Sequence, residues 1–422
     1  MKFSIITLGC KANQSETATI ERAFLENFHT PVGLEQNPDI CIINTCTVTA
    51  KSDYESRQLI RRALRSSGRV FVTGCYSETG ESEIRQLGSN IEIIKNEDKT
   101  DFFKMKLATH GVMENTERPT VSATTFRSRA FIKIQDGCNC KCSYCVITRA
   151  RGASRSRGVW DIVQEAAQWE RDGFNEAVLT GVHIGHYGLD LKPPKVTLST
   201  LIENILCNTG GIRLRIGSVE ANEIDEGLFE LLKDERVCKH IHIPVQSGDN
   251  EILKLMNRPH NTEQFREITT RLRREIENIS IGTDVIVGFP GETDVHFENT
   301  YKFLSMLPLT YLHVFPYSKR KNTEAFNMSN HITGRIKKER ASKLRTLSDN
   351  FKNSYMKNQQ GRILKAIVER SDGALRQVTT DNYLKVTLQE ACNIPITEKS
   401  LISLIVTAYN GGSLTGNPIN TF

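Results

Sequence analysis

Four of the eleven cysteines in this sequence fall within eight residues, so closely that they must share one loop. Three of them, Cys138, Cys142 and Cys145 (the loop triplet), have the spacing CxxxCxxC and directly follow a stretch that predicts a β-strand. Three thiolates on one loop can hold three irons of a 4Fe–4S cluster and leave the fourth iron without a protein ligand. Zinc is the alternative, but a structural zinc site takes four ligands and usually pairs of CxxC. Cys140 could be a fourth ligand, but residues two apart on a tight loop point in different directions, so we treat it as a bystander.

Length and composition exclude several classes of protein. A chain of 422 residues predicts two to three domains at roughly 150 residues each. With 38% hydrophobic and 25% charged residues, it can form cores and is too balanced for wholesale disorder. No stretch approaches the ~18 apolar residues of a membrane-spanning helix, and the amino-terminal apolar run is too short for a secretory signal. We therefore expect a soluble, cytoplasmic protein whose cysteines serve metal binding or catalysis rather than disulfides.

The first hundred residues alternate between short apolar runs and stretches with helical periodicity. The apolar runs predict strands at residues 3–8, 39–44, 69–73 and 91–94. Helices are predicted over residues 16–28, 51–65 and 81–87. Strands this short, separated by helices, indicate a parallel α/β sheet.

A second alternation predicts a partial barrel. Its strands are predicted at residues 130–135, 176–180, 212–216, 240–245, 281–287 and 311–315. Six strand–helix units fall short of an eight-fold barrel of ~250 residues, so we expect an open (β/α)6 barrel with its chemistry at the C-terminal ends of the strands. After a basic helix at 335–359, short runs at 363–368, 376–379, 383–387 and 401–408 predict a small antiparallel β-barrel.

These patterns together predict an α/β protein of three domains. We expect the parallel sheet domain at residues 1–110, the partial barrel at 126–355 and the antiparallel barrel at 356–422. The polar stretch at 111–125, which contains proline, predicts a linker between the first two.

Three further cysteines share one position relative to the predicted strands. Cys10, Cys46 and Cys75 (the sheet triplet) each stand one or two residues past the end of a strand, after a glycine or a threonine. Because the carboxyl ends of parallel strands share one edge of a sheet, three thiolates could meet there. The alternative is three buried, inert cysteines, as single cysteines usually are. The remaining cysteines are assigned to packing or structure: Cys41, Cys207, Cys238 and Cys392.

Positive charge is concentrated in two stretches. Residues 319–365 hold thirteen lysines and arginines against three acids, in a chain with a net charge of +6. Four more arginines lie at positions 149, 151, 155 and 157. One basic block could be a solvated helix face, but two suggest a polyanion partner, of which RNA or DNA is the usual one.

The spacing of the loop triplet resembles the signature of the radical S-adenosylmethionine (SAM) superfamily. The sequence around the sheet triplet resembles that of the methylthiotransferase family, which belongs to the same superfamily. The segments that carry the resemblance are TLGCKANQ at 7–14, NTCTVT at 44–49 and GCY at 74–76. The resemblance covers essentially the whole chain and is closest to the branch that acts on N6-threonylcarbamoyladenosine in tRNA. The terminal β domain resembles the TRAM module, a small RNA-binding barrel, in position and length.

The resemblance implies a reaction with two 4Fe–4S clusters, one on each triplet, and two SAM molecules. One SAM methylates a sulfur held at the auxiliary cluster on the sheet triplet. The other chelates the open iron at the loop triplet and yields a 5′-deoxyadenosyl radical, which abstracts hydrogen from C2 of the adenine at position 37, where the methylthio group is transferred. The implied partners are the anticodon loop of tRNA, an electron donor such as flavodoxin or ferredoxin, and a sulfur donor, with no membrane.

The resemblance also implies SAM contacts at successive strand ends. Tyr144, just before the last cysteine of the loop triplet, matches an aromatic position near the adenine. The other candidates lie in four segments at strand ends: Gly181, Ser218, Glu220, Gln246 and Asp284. Plain strand-end turns and helix caps are the alternative for each of them.

The segment RGASRSR at 151–157 resembles a family stretch that has glutamate in place of Ser154. That difference weakens any role assigned to an acidic side chain at position 154, but the arginines of the family stretch are present in this sequence. Its arginines could hold the carboxylate of SAM or phosphates of tRNA.

Three other functions stay open at this point. The same chemistry could act on N6-isopentenyladenosine in tRNA or on a ribosomal protein side chain. The wording at Cys10 and Cys46 and the basic last third of the chain argue against the ribosomal protein. A zinc-stabilised RNA-binding protein without catalysis is the alternative of another class.

Overall fold

The computed structural model of the chain describes residues 1–99, 102–103, 128–192, 196–369, 376–389 and 396–419. The linker expected at 111–125 and Cys392 lie outside these residues. Within them, the chain forms a parallel sheet, an open barrel and a closed barrel, so the expected α/β fold class is confirmed. No helix in these ranges is long and apolar enough to cross a membrane.

The amino-terminal sheet consists of five parallel strands: β1 (Lys2–Thr7), β2 (Thr30–Pro31), β3 (Ile40–Thr45), β4 (Arg69–Gly74) and β5 (Ile91–Ile93). Their order is β2-β1-β3-β4-β5. The helices of this part are α1 (Lys11–Glu26), α2 (Ala50–Ser66), α3 (Cys75–Thr79) and α4 (Glu81–Arg85). The central strand β3 is buried along its whole length because helices cover both faces of the sheet.

The open barrel follows. The strands of this part are β6 (Ala130–Lys133), β7 (Gln135–Asp136), β8 (Arg155–Ser156), β9 (Glu176–Thr180), β10 (Arg213–Ile216), β11 (His240–His242), β12 (Ser280–Val287) and β13 (Tyr311–Pro316). Of these, β7 and β8 form a small antiparallel pair, and the other six are the barrel strands. The barrel strands form two parallel sheets, β10-β9-β6 and β11-β12-β13. Backbone bridges from Leu214 to Val237 and from Ser218 to His242 join the sheets into the expected six-stranded partial barrel.

Seven helices surround the open barrel: α5 (Ile147–Arg151), α6 (Val159–Arg171), α7 (Leu198–Asn208), α8 (Glu226–Leu231), α9 (Asn250–Leu255), α10 (Thr262–Glu275) and α11 (Asp294–Ser305). Side-chain caps set where several of them begin. The carboxylate of Asp249 accepts a hydrogen bond from the backbone amide of Ile252 at the start of α9. Asn261 forms a capping box with Gln264 at the start of α10.

Side chains alternate across the barrel strands, so the barrel has an apolar outer face and a polar inner face. Ala177, Leu179 and Leu214 pack in the core beneath the helices. Their neighbours Glu176 and Arg215 therefore face the inside, where both are completely buried and form an ion pair of 2.8 Å. Burial alone would raise the pKa of Glu176, but the guanidinium groups beside it hold that pKa well below its usual range.

A long helix leads from the open barrel to the closed barrel. After the short helix α12 (Glu324–Asn327), α13 (Gly334–Lys357) packs on β13, where Ser348 Oγ accepts the amide of Leu312 at 2.8 Å. The strands of the closed barrel are β14 (Ile363–Val368), β15 (Gln377–Thr380), β16 (Lys385–Leu388), β17 (Leu401–Asn410) and β18 (Ser413–Ile419). Their order is β14-β15-β16-β18-β17, and all pairs except β16–β18 are antiparallel.

The turn between β15 and β16 reaches the end of the open barrel at which β10 and β11 begin. Arg215 donates hydrogen bonds of 2.9 Å to the backbone carbonyls of Thr380 and Asp381 in this turn. The ring of Tyr383, a residue with a positive φ of 67°, lies 4.5 Å from the ring of His240 between centroids. The closed barrel thereby covers this end of the open barrel.

We expect Glu176→Gln to destabilise the protein by about 3–5 kcal/mol, because it leaves buried guanidinium groups without a charged partner. The melting temperature followed by circular dichroism measures the effect. Because the pKa of Glu176 is lower in the folded state, its ion pairs contribute fully to the free energy of unfolding above the ordinary pKa of glutamate. This contribution is lost only as the pH falls through the lower pKa of the folded state. Glu230→Gln, in a surface pair with Lys233, is the control, and equal melting of the two variants would contradict the argument.

Candidate functional site

The loop triplet lies between β7 and α5 on a loop closed by backbone hydrogen bonds. The amide of Cys138 donates to the carbonyl of Gly152 at 3.1 Å, and that of Cys145 donates to the carbonyl of Cys142 at 3.0 Å. Burial raises the pKa of the Cys145 thiol to about 12, and the negative charges of Cys142 and Cys138 add to this shift. The sulfur of Cys145 therefore lies within electrostatic reach of the sulfurs of Cys142 and Cys138.

Cys140 has a partner of its own beside the loop triplet. Its sulfur lies 3.3 Å from Nδ1 of His183, which is also 3.4 Å from the sulfur of Cys138. The other nitrogen of this imidazole lies 2.6 Å from Glu223. Cys138, Cys140 and His183 are close enough to hold one metal ion together, so the zinc alternative has a definite site at which it can be tested.

Arg258 joins two of the expected SAM contacts to the loop triplet. Its guanidinium lies 3.4 Å from the sulfur of Cys142 and 3.5 Å from the hydroxyl of Tyr144, and it forms an ion pair with Glu220. Its Nε is buried and has no hydrogen-bond partner among the described residues, so this group is still available to a ligand. No motif in the sequence includes Arg258, which lies between α9 and α10.

Three of the expected SAM contacts follow barrel strands, as that role requires: Gly181 follows β9, Ser218 follows β10 and Gln246 follows β11. A Cβ on Gly181 would fall 2.8 Å from the carbonyl oxygen of Gln135, so glycine allows two backbones to approach here. Ser218 Oγ lies 2.9 Å from Nδ1 of His242. Gln246 has a positive φ of 68°, a strained conformation for this residue type and one that is common at ligand sites.

Asp284 lies in the middle of β12 rather than at its end. Its carboxylate lies 3.2 Å from Nε2 of His242 and 3.4 Å from Nδ1 of His313. Burial alone would raise the pKa of Asp284, but the two imidazoles hold it below its usual range. Asp284 is therefore a charged acceptor on the inner face of the open barrel, and it shares His242 with Ser218.

The three cysteines of the sheet triplet all lie at the carboxyl edge of the amino-terminal sheet. Cys10 precedes α1, Cys46 follows β3 and Cys75 begins α3. Gly9 and Gly74 have positive φ values of 94° and 95°, and a Cβ on Gly9 would fall 2.8 Å from the sulfur of Cys46. Burial raises the pKa values of Cys46 and Cys75, and the charge of Cys10 raises both further, so Cys10 lies within electrostatic reach of each.

A buried arginine links the two triplets. Arg151 ends α5, the helix that follows the loop triplet, and its Nε donates to the sulfur of Cys75 at 3.3 Å. Its Nη1 donates to Glu16 and Asp136, both at 2.8 Å, and its Nη2 donates to Asn13. Because these contacts use the whole guanidinium, Arg151 has no donor left for SAM or tRNA phosphates, and for Arg155 and Arg157 that role stays a prediction.

A second contact reaches the sheet triplet from the end of β13. Arg320 Nη2 donates to Thr47 Oγ1 at 2.6 Å, and its Nη1 lies 2.7 Å from Asp53. The amide that begins α2 donates to Ser318 Oγ at 3.0 Å. The segment 318–320 thus fixes the residues directly after Cys46, although no sequence motif pointed to it.

Two family models match this chain. Residues 132–304 match the Radical SAM superfamily, and residues 2–95 match a family described as "Uncharacterized protein family UPF0004". The two matches cover the open barrel and the amino-terminal sheet. Each therefore includes one of the two cysteine triplets.

Relatives align with nearly the whole chain. The threonylcarbamoyladenosine tRNA methylthiotransferase MtaB of Bacillus subtilis is 36% identical over 91% of this chain and 89% of its own length. The protein of the same name from Aquifex aeolicus is 34% identical over 92% of this chain and 96% of its own length. A putative methylthiotransferase of Helicobacter pylori is 33% identical over 93% of this chain and 97% of its own.

Solved structures share the fold at low sequence identity. The radical SAM methyltransferase TsrM of Kitasatospora setae superposes with a TM-score of 0.54 at 15% identity, covering 77% of each chain. The cobalamin-dependent radical SAM enzyme OxsB superposes with a TM-score of 0.51 at 14% identity, covering 82% of this chain and 56% of its own. At these identities the likeness concerns the fold alone.

We expect Arg151→Met to destabilise the protein by about 1.5–3 kcal/mol, because the buried carboxylates of Glu16 and Asp136 lose one of the two cations that they share, the other being Lys133. The melting temperature and the rate of limited proteolysis between the sheet and the barrel measure the loss. Arg155→Met is the matched control, since Arg155 is half exposed and 4.0 Å from Asp136. A similar effect of both variants would show that the buried network is not what joins the two parts.

Proposed function

This chain belongs to the methylthiotransferase family of radical SAM enzymes, and we propose that it inserts a methylthio group at C2 of N6-threonylcarbamoyladenosine at position 37 of tRNA. Relatives named for threonylcarbamoyladenosine in tRNA support the proposal, since they align with nearly the whole chain. The enzyme class is a transferase that modifies tRNA.

A 4Fe–4S cluster and SAM are the cofactors of the radical SAM superfamily. We propose that this enzyme uses two clusters, one held by the loop triplet and one by the sheet triplet, together with two molecules of SAM. The donor sets fit, because each offers three thiolates, the number that leaves one iron open to another ligand. The observation that carries the proposal is Arg151, which ends the helix after the loop triplet and contacts Cys75 of the sheet triplet.

The bound clusters and SAM supply the one-electron chemistry that an unactivated aromatic C–H bond requires. The residues of the chain position and shield the reacting groups. Arg258 holds Glu220 beside Cys142, and its free Nε can bind a carboxylate. Asp284 offers a charged acceptor to a polar group inside the open barrel. Helix α1 covers the side of the barrel, where Ser15 donates to a carbonyl of β6 at 2.8 Å and helps to exclude water.

We propose that tRNA binds along the positive surface formed by α13 and residues 319–321. Exposed cations of this surface are Lys319, Lys321, Arg335, Lys338, Lys343, Arg345, Lys352 and Lys357. Such cations contact phosphates without reading sequence, so the anticodon loop would be positioned electrostatically. An electron donor such as flavodoxin or ferredoxin and a sulfur donor complete the system.

We expect Cys142→Ala to abolish the formation of 5′-deoxyadenosine from SAM, because the loop triplet loses a ligand of the cluster. Cys46→Ala should retain this cleavage yet block methylthio insertion, because only the sheet triplet is affected. Each variant should lose about half of the iron. The measurements are nucleoside mass spectrometry of tRNA, chromatography of 5′-deoxyadenosine and iron analysis of protein purified without oxygen.

Cys207→Ala, an exposed cysteine outside both triplets, is the matched control and should behave as wild type. Methylthiolated nucleoside from the Cys46 variant would refute the second cluster. Zinc in place of iron would support the RNA-binding alternative. Modified N6-isopentenyladenosine or a modified ribosomal protein would identify one of the other substrates.

A further inference from the structure

Three cations converge on one aromatic ring where the three parts of the chain meet. Lys11 begins α1, Arg129 precedes β6 and Arg215 lies in β10. The Nζ of Lys11 lies 5.4 Å from the ring centroid of Tyr383, and the guanidinium carbons of Arg129 and Arg215 lie 5.9 and 5.0 Å from it. We call these three residues the ring cations.

The acids around the ring cations do not balance their charge. Glu176 is shared by Arg213 and Arg215, at 2.7 and 2.8 Å. Glu369 lies 3.5 Å from Arg129, but it also pairs with a lysine of the closed barrel. Asp381 is a third carboxylate within electrostatic reach of Arg213 and Arg215, and each of the three has a cationic partner other than Lys11.

Lys11 is the cation that remains without a partner. Its Nζ has no hydrogen bond and no ion pair among the residues that the structure describes, although the side chain is partly buried. The Nδ1 of His240, whose ring lies beside Tyr383, is also buried without a hydrogen-bond partner among them. A buried nitrogen such as that of His240 is normally satisfied by a partner, and the ammonium of Lys11 beside it favours an anion, so the geometry points to an anionic ligand here.

The ring cations are continuous with the proposed reaction site. Lys11 directly follows Cys10 of the sheet triplet. On the other side, Nε2 of His240 lies 2.8 Å from the hydroxyl of Tyr311, whose ring centroid is 6.2 Å from that of His242. His242 in turn contacts the serine expected to bind SAM. Because Lys11 and Tyr311 are only partly buried, a ligand of the barrel interior can reach this region.

We propose that Lys11 binds the carboxylate of the amino-acid substituent on the substrate base. This inference rests on the proposed function, in which the target adenosine carries threonine joined through a carbamoyl group at N6. The carboxylate of that threonine is ionised at neutral pH, and the flexible substituent can extend from the base into the barrel interior. A base without this carboxylate leaves Lys11 unpaired, so the contact selects the substrate.

The test uses reconstituted enzyme and two anticodon stem-loop RNAs, whose target nucleoside carries either the free carboxylate or its methyl ester. We expect the ester to raise the KM of the wild type by roughly 10- to 100-fold, the range of one lost charged hydrogen bond. Lys11→Met should raise the KM for the carboxylate RNA by a similar factor and show no further loss with the ester. The dissociation constants of both RNAs, measured without SAM, should follow the same pattern.

Two variants serve as controls. Lys11→Arg keeps the positive charge and should retain most of the preference for the carboxylate. Lys233→Met removes a surface lysine that pairs with Glu230 and should leave both KM values unchanged.

Equal KM values of the wild type for the two RNAs overturn the inference, and this comparison needs no variant. An equal loss by Lys11→Met with both RNAs assigns Lys11 to a phosphate and also overturns it. So does a loss of SAM binding by this variant in the absence of RNA, which assigns Lys11 to the carboxylate of SAM. If the wild type methylthiolates neither RNA, the proposed function itself has failed.

Discussion

One buried guanidinium joins the open barrel to the amino-terminal sheet beside the sheet triplet. Arg151 contacts Cys75 and Glu16. Glu16 also accepts a hydrogen bond of 2.8 Å from Lys133 and forms an ion pair with Lys99. Burial alone would raise the pKa of Glu16, but these cations hold it well below its usual range. Charges from the sheet and from the open barrel thus compensate each other only when the two parts are docked. Separating them would leave unpaired charges, so the docked geometry is strongly favoured.

Apolar periodicity predicted the sheet and the open barrel because most of their strands are short continuous apolar runs. The strand at Glu176–Thr180 was predicted to the residue. The strand at His240–His242 is shorter than predicted, since Pro244 has no amide to continue the ladder. In the closed barrel, Ser413–Ile419 was not recognised because Gly416 and Pro418 interrupt its apolar pattern. Its parallel partner depends on how the barrel closes, which local sequence does not encode.

The thiolates of the candidate site could be predicted from sequence because cluster ligands need either a fixed spacing or a shared strand edge. The groups that orient them could not. Arg258 contacts Cys142 across 116 residues of chain, and Arg320 contacts Thr47 across 273. Such pairs arise from the docking of distant loops, and nothing in the local pattern marks either arginine. The SAM contact expected of Asp284 stays a prediction, and its motif did not show that this residue lies in mid-strand.

The turn of the closed barrel that carries Tyr383 is part of the wall around the chemistry. It gives two carbonyls to Arg215 and places an aromatic ring under His240. The closed barrel is therefore not an appendage that could be exchanged freely between enzymes. Removing it would expose the buried ion pair of Arg215 and Glu176 to water at this end of the open barrel. Part of the stability of the open barrel is thus supplied by a separate small barrel.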